Sequence, residues 1–128
     1  MASVVFDASA ILALLRDEPG ADIVASHIGH GIISAVNFQE VIKELLRRGI
    51  QMEPALELLD ALHLDIHPHG PQDAMAAAGL YLATKQYGSG LGDRTCMALA
   101  MAQGLPALTA DQAWGKIVVA GLTIQIIR

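Results

Sequence analysis

The sequence predicts an α/β fold, in which helices pack on a short and mainly parallel sheet. Short apolar runs alternate with helical segments along the whole chain, and strands that are buried on both faces appear as continuous apolar runs. No internal repeat or linker is present, and 128 residues suffice for one hydrophobic core but not for two. We therefore expect a single domain over residues 1–128.

Boundary residues define the elements in the first half of the chain. Asp7 ends the first apolar run, Pro19 suits the first turn of a helix, Ser34 can cap a helix, and Gly49 can end one. The predicted elements are, in order, a strand over 4–6, a helix over 8–16, a helix from 19, a strand over 31–34 and a helix over 35–48.

The second half follows the same alternation. Pro54 and Pro71 each suit a helix start, apolar and polar residues alternate over 62–67 as in a half-buried strand, and Gly104 ends an apolar helix. The predicted elements are a helix over 54–61, a strand over 62–67, a long helix over 71–87, a buried helix over 93–103, a strand over 105–109, a helical turn around 114 and a strand over 122–127.

Composition limits the class of protein. Hydrophobic residues make up 53% and charged residues 16%, so we expect an exposed apolar patch that an oligomer or an obligate partner covers. No apolar run is long enough to span a bilayer, no signal peptide is recognisable, and the single cysteine fits a reducing cytoplasm. The net charge of −5 argues against a protein that passively coats nucleic acid.

Four acidic residues, Asp7, Glu40, Asp93 and Asp111, fall near the ends of predicted strands or the starts of predicted helices. In an open parallel sheet these positions share one rim, beyond the carboxyl ends of the strands. Two carboxylates about 5 Å apart repel by about 3 kcal/mol at an effective dielectric near 20, so a cluster must take up protons or hold a cation. The sequence therefore predicts a divalent-metal site, with phosphate chemistry as its purpose.

Each acid also has a simpler interpretation. Asp7 and Asp93 could cap the helices beside them, and Asp111 could be a turn residue. By helical spacing Glu40 falls opposite the apolar stripe of its helix, where pairing with Lys43 as a solvated glutamate is equally acceptable. Each alternative is sound alone, but all four acids on one rim favour a shared site.

These residues in this order resemble the PIN-domain ribonucleases, and among them the VapC toxins of bacterial and archaeal toxin–antitoxin pairs. The resemblance spans most of the chain, and the ordered set is far more specific than any one segment. Gly90 departs from it, because relatives often have a polar residue there. The segments that carry it are Val5–Ala10, Ser34–Val41, Leu91–Arg94 with Ala98–Ala100, and Leu108–Asp111.

The resemblance implies a three-layer α/β/α domain with strand order 3-2-1-4-5. It also implies Mg²⁺- or Mn²⁺-dependent endonucleolytic cleavage of structured RNA, inhibition by a cognate antitoxin and assembly as a homodimer. Asp7, Glu40 and Asp93 match the three core acids of the family, and Asp111 matches its usual fourth. Two further positions match residues that hydrogen-bond to the carboxylates, Ser9 and Thr109.

Positive charge near the acids would help to bind RNA. Arg94 adjoins Asp93, Arg16 ends the first predicted helix, and Lys116 follows Asp111, so these three are candidate phosphate contacts. For any one of them alone, a solvated surface cation is the better explanation. A basic group on the Glu40 helix, which comprises Lys43, Arg47 and Arg48, could instead bind an acidic partner segment.

Other residues suggest chemistry less strongly. Histidines at 63, 67 and 69 could share a strand face with Asp65, but a solvated edge strand explains them better than a metal site does. Cys96 and Trp114 are predicted to be core residues. Two other functions stay open, namely a catalytically silent binding module and a nuclease that is not a toxin. A metal-dependent phosphatase is disfavoured because no Asp-x-Asp follows the first strand.

Overall fold

The computed structural model describes residues 1–128 and contains one five-stranded sheet in which every strand pair is parallel. The strand order is β3-β2-β1-β4-β5, so the predicted α/β class and the implied order 3-2-1-4-5 are confirmed. The strands are β1 (Val4–Phe6), β2 (Gly31–Ser34), β3 (Asp65–His67), β4 (Ala107–Thr109) and β5 (Ile124–Ile126).

Seven α-helices and two short 3₁₀ helices connect the strands. The 3₁₀ helices cover Lys85–Tyr87 and Gln112–Lys116, the second being the turn predicted around Trp114. The α-helices are α1 (Ala8–Leu15), α2 (Ala21–Ala25), α3 (Ala35–Arg47), α4 (Met52–Asp60), α5 (Pro71–Ala78), α6 (Tyr81–Thr84) and α7 (Leu91–Gln103).

Three predicted helix starts move by about two residues, the third being that of α7, which begins at Leu91. α2 begins at Ala21 because Gly20 before it has a left-handed backbone with φ of 94°. α4 begins at Met52, which places Pro54 inside the first turn. The backbone N–H that proline lacks would have no intrahelical partner at that position.

The predicted helix over 71–87 was wrong as a single element. It divides into α5, α6 and a 3₁₀ turn, with Gly79 at the first break. Alanine favours helix at every position, so the sequence pattern over this stretch does not show where the axis turns. Burial of Leu80 and Thr84, at 8% and 0% exposure, sets the new direction.

The predicted strands at 62–67, 105–109 and 122–127 are each shorter in the structure. β3 keeps only Asp65–His67, because His63 lies in a turn with φ of 49°. β3 is an edge strand, as expected, and two of its three residues are exposed.

Hydrophobic clusters lie on both faces of the sheet, which gives the three layers. Val4 and Phe6 point into the cluster under α1, α2, α3 and α4, whereas Val5 points into the cluster under α5 and α7. Neighbouring strand residues face opposite sides, so β1 is buried on both faces. No helix is long and apolar enough to cross a membrane.

Candidate active site

The pairing of β1 with β4 places Asp7 at the centre of the sheet's carboxyl edge. Phe6 is in register with Leu108, and the Asp7 backbone N–H donates to the Leu108 carbonyl at 2.9 Å. Asp7 directly follows Phe6 and Thr109 directly follows Leu108, so these two residues lie side by side. The local cause is that both strands are apolar up to this point and polar directly after it.

Two hydroxyl groups hold the Asp7 carboxylate. Ser9 Oγ donates to Asp7 Oδ2 at 2.5 Å, and Thr109 Oγ1 donates to the same oxygen at 3.0 Å. Ser9 Oγ also accepts from the Ala110 backbone N–H at 2.9 Å, which ties α1 to the end of β4. Asp7 precedes α1 but makes no side-chain cap bond, so capping does not explain it.

Burial makes the charge on Asp7 costly. The side chain is only 5% exposed, and this burial raises its pKa from 3.8 to about 6, against the lowering effect of Ser9 and Thr109. The nearby charges of Asp93 and Glu40 raise the pKa further. Asp7 therefore sits among other carboxylates with no cationic side chain to compensate it.

Glu40 faces α7, not solvent. A Cβ on Gly92 would clash with the Glu40 carboxylate, so this position of the carboxylate requires glycine at residue 92. Burial raises the pKa of Glu40, and the charge of Asp93 adds to that. Lys43 does not take Glu40 as its partner, because its Nζ lies 2.7 Å from Glu44 Oε1. The solvated Glu40–Lys43 pair is therefore absent.

Asn37 is a site residue that the sequence reasoning missed. It is fully buried, and its Nδ2 donates to Glu40 Oε1 at 2.7 Å and to the Gly92 carbonyl at 2.9 Å. Its Oδ1 is buried with no hydrogen-bond partner. A buried asparagine three residues before a glutamate on the same helix face was the available signal.

Asp93 belongs to the first turn of α7. The helix begins at Leu91, two residues earlier than predicted, and Asp93 Oδ2 accepts from the Gly90 backbone N–H at 2.9 Å. Asp93 therefore does cap the start of α7, and the cap uses only one of its two carboxylate oxygens. Burial raises the pKa of Asp93 against that hydrogen bond, and Asp111 raises it further.

Asp111 is the most peripheral of the four acids. It is exposed, and its Oδ1 accepts from the Ala113 backbone N–H at 2.9 Å, which caps the 3₁₀ helix. In its local contacts Asp111 is therefore a turn residue, which was the simpler interpretation of the sequence. Its charge still reaches Asp93, so it lies at the margin of the same rim.

The structure thus brings Asp7, Glu40 and Asp93 into mutual electrostatic contact and leaves Asp111 beside Asp93. No group of three or more potential ligands is placed to hold one ion together. The donor set nevertheless suits Mg²⁺ or Mn²⁺. It consists of carboxylate oxygens, and Mg²⁺ usually takes one or two carboxylates and keeps several waters. The raised pKa of Asp7 marks a place where a cation would relieve repulsion.

The three candidate RNA contacts differ in position. Arg94 lies over the Tyr81 ring, 5.4 Å from its centroid, and donates to the Ser89 carbonyl at 2.7 Å. Lys116 is exposed at the end of the second 3₁₀ helix. Arg16 follows the eight-residue α1, about 12 Å along the axis from Asp7 at 1.5 Å per residue, and lies 3.8 Å from Glu44. Arg94 is the one nearest in sequence to a central acid.

The remaining residues take the expected structural positions. His67 Nε2 lies 3.1 Å from Asp65 Oδ2 on the exposed edge strand, and His63 is outside that strand. Cys96 is fully buried below the acids, and burial, with Asp7, Asp93 and Glu40, raises the pKa of its thiol. A protonated, buried thiol is not a nucleophile. Trp114 is a buried core residue, as predicted.

A comparison with protein families gives one match. The family model of the PIN domain matches residues 4–119, a range that contains all four acids as well as Ser9, Asn37 and Thr109. No curated protein matches this sequence with statistical significance.

Solved structures with the same fold come from several bacteria. DNA-bound VapBC from Salmonella typhimurium is 16% identical with a TM-score of 0.73, and all of both chains is covered. VapBC2 from Rickettsia felis bound to a promoter DNA fragment is 14% identical with a TM-score of 0.71 and 98% coverage of each chain. A toxin–antitoxin complex from Klebsiella pneumoniae is 17% identical with a TM-score of 0.70, covering 94% of this chain and 96% of that one. At these identities the likeness is one of fold.

The raised pKa of Asp7 predicts how stability depends on pH in metal-free protein. The folded pKa of about 6 lies above the unfolded value of 3.8, so the folded state binds the proton more tightly. Stability should therefore fall as pH rises from about 4 to 6, by up to about 3 kcal/mol from this residue. Asp7→Asn should flatten that fall and be more stable at pH 7, because an amide carries no charge.

Urea unfolding in EDTA at several pH values measures this effect. The matched control is Asp60→Asn, since Asp60 is exposed and its only hydrogen bond outside the helix pattern is made by its backbone carbonyl, which accepts from the His63 N–H. A wild-type curve that rises between pH 4 and 6 would show that the Asp7 charge is compensated in the folded protein.

The Asn37 contacts predict a second effect on stability. Asn37→Ala should lower the free energy of unfolding by about 1.5–3 kcal/mol, because a buried hydrogen bond to a charged group is lost. It should also raise the pKa of Glu40, which the Asn37 hydrogen bond lowers. Chemical denaturation and an NMR titration of the Glu40 carboxyl group measure the two effects. Gln39→Ala, an exposed change on the same helix, should alter neither, and an Asn37→Ala protein as stable as that control would contradict the assignment.

Proposed function

This chain belongs to the PIN domain family, and from that premise we propose that it is an Mg²⁺- or Mn²⁺-dependent endoribonuclease that acts as the toxin of a toxin–antitoxin pair. PIN domains are in general nucleases that use divalent metals. The observation that carries the proposal is the group of three buried or half-buried carboxylates, Asp7, Glu40 and Asp93, at the carboxyl edge of the sheet, where burial and then the charge of Asp93 raise the pKa of both Asp7 and Glu40.

The residues take different roles in this proposal. Asp7 and Asp93 are the direct metal ligands, and Asp111 completes the site or helps to hold a second ion. The bound ion would polarise a phosphate and lower the pKa of a water molecule. Glu40 orients or deprotonates the attacking water, and its raised pKa makes it a stronger base than a solvated glutamate.

The hydroxyl groups around Asp7 position it for this role. Ser9 and Thr109 both donate to Oδ2, which fixes the plane of the carboxylate and leaves Oδ1 directed elsewhere. Asn37 likewise holds the Glu40 carboxylate, because its side-chain amide donates to one carboxylate oxygen. Preorganised ligands need no rearrangement at the moment of reaction. In-line attack by water would leave a 5′-phosphate and a 3′-hydroxyl group.

The toxin role also implies protein partners. We propose a homodimer in the cytoplasm, a cognate antitoxin that inhibits the enzyme, and a structured transfer or ribosomal RNA as substrate. Exposed apolar side chains support the presence of partners, because Leu82 and Val118 are 74% and 88% exposed. The Klebsiella pneumoniae structure of the same fold is itself a toxin–antitoxin complex.

Two alternatives stay possible within the family. A catalytically silent binding module would be expected to lack one or more of the central acids, and all of them are present and buried or half-buried here. A nuclease that is not a toxin would keep the same site and differ only in its substrate and in the absence of an antitoxin. An RNA cleavage assay distinguishes the proposed enzyme from a silent binding module. The effect of expression on growth distinguishes a toxin from a nuclease that is not a toxin.

The cleavage assay uses total RNA with Mg²⁺ or Mn²⁺, with and without EDTA. Wild-type protein should produce discrete fragments with 5′-phosphate ends, and EDTA should abolish them. Asp7→Asn and Asp93→Asn should remove activity, and Glu40→Gln should lower the rate by about 10²- to 10⁴-fold, as for loss of a general base. Asp60→Asn is again the control. Full activity of Asp7→Asn would refute the assigned site.

The toxin role predicts a growth phenotype. Induced expression of the wild-type chain should arrest bacterial growth, expression of Asp93→Asn should not, and co-expression of the protein encoded next to it should restore growth. Harmless expression of a chain that cleaves RNA in vitro would favour the nuclease that is not a toxin.

A further inference from the structure

A cavity of about 370 Å³ lies between the start of α3, the α5–α6 region and the first turn of α7. This volume is in the range of small-molecule sites, about 300–1,000 Å³. Its lining is mostly apolar, with one aromatic ring, one guanidinium group and one imidazole. The lining residues that bear on its chemistry are Val36, His69, Ala78, Tyr81, Leu91 and Arg94.

The cavity adjoins the carboxylates at two points. Val36 lines it and precedes Glu40 by one helical turn on α3, which places the two side chains about 5–6 Å apart at Cβ. Leu91 lines it and precedes Gly92, the residue against which the Glu40 carboxylate lies. A ligand in the cavity would therefore lie next to any group that binds to Glu40.

The polar and aromatic groups in the cavity suit a flat, aromatic ligand attached to an anion. Arg94 lies over the Tyr81 ring at 5.4 Å and is anchored by its bond to the Ser89 carbonyl, so the ring supports one face of the guanidinium group. Tyr81 and Leu91 are 52% and 81% exposed. RNA bases outside a duplex stack on aromatic rings and on guanidinium planes of this kind.

We propose that this cavity binds an unpaired base of the RNA strand, one nucleotide away from the phosphate that the carboxylates engage. The proposal rests on the nuclease function and specifies the form of its substrate, which must present a flipped-out or single-stranded nucleotide at the cleavage site. Stacking on the Arg94 guanidinium group, which the Tyr81 ring supports, holds the base, and the His69 side chain is the group that can contact its edge or its phosphate.

The alternative occupant is a side chain from a second copy of this chain, inserted between Tyr81 and Leu91. The observations favour RNA because a cationic platform next to a phosphate-directed carboxylate site matches a nucleotide in both its parts. An apolar protein side chain would leave the His69 side chain without a polar partner in the cavity. Occupation of the cavity by a second copy is therefore an outcome that would overturn the proposal.

Binding of a short RNA in EDTA tests the cavity separately from catalysis. The probe is an unstructured seven-nucleotide RNA with a central 2-aminopurine, whose fluorescence falls on stacking. Tyr81→Ala, which removes the ring, and Ala78→Leu, which fills the cavity, should weaken binding about 5- to 150-fold and restore the fluorescence. Tyr81→Phe keeps the ring and should bind within about twofold of wild type. Ala83→Leu is the matched control, since Ala83 is an exposed alanine that does not line the cavity.

The outcomes separate the cavity from the nuclease function. Tyr81→Ala and Ala78→Leu proteins that bind the probe as wild type does would overturn the proposal, even if the wild type cleaves RNA with Mn²⁺. Weakened binding in both variants supports the base site, even if the wild type cleaves nothing, in which case it is the nuclease function that fails. A change in sedimentation mass in these two variants, with unchanged probe binding, would assign the cavity to contact between copies.

Discussion

The pairing of β1 with β4 is the constraint on which the candidate site depends. It joins two strands that are about a hundred residues apart in the sequence and brings Thr109 Oγ1 to 3.0 Å from Asp7 Oδ2, a hydrogen bond across 102 positions. Parallel strands need long connections, so α1 to α7 all lie within this one loop of chain. The helices that carry Glu40 and Asp93 are themselves parts of that connection. Formation of the site and closure of the sheet are therefore a single event.

The same strand pairing makes the folded state electrostatically less favourable. Burial and the neighbouring acids raise the pKa of Asp7 to about 6, and no basic side chain lies close enough to offset them. The basic residues of α3 are directed elsewhere, since Lys43 and Arg47 both bond to Glu44. The charges of Lys43 and Arg94 offset part of the cost at Glu40 and Asp93, but Asp7 has no such partner. A protein selected for stability alone would not retain this arrangement.

Most of the fold was predictable from the sequence because the signals were local. Val4–Phe6, the Ser34 cap and the end of α7 at Gly104 each depend on a few neighbouring residues, and each agrees with the structure. The break at Gly79 and the orientation of Glu40 were not predictable in this way. Glu40 lies opposite the apolar stripe of α3 by helical spacing, but a second helix packs there through Gly92, and only the tertiary structure shows it. Asn37 was missed for the same reason, since its two partners lie on different helices.

The close approach at Gly92 has a consequence for how a relative of this chain could lose function. The Glu40 carboxylate lies where a Cβ on residue 92 would be, and residue 93 is one of the acids. A methyl group at residue 92 would displace the Glu40 carboxylate, although the sequence would still contain every acid. A count of the acids in a relative would not reveal that change. The glycine deserves the same weight as the acids when activity is inferred from sequence.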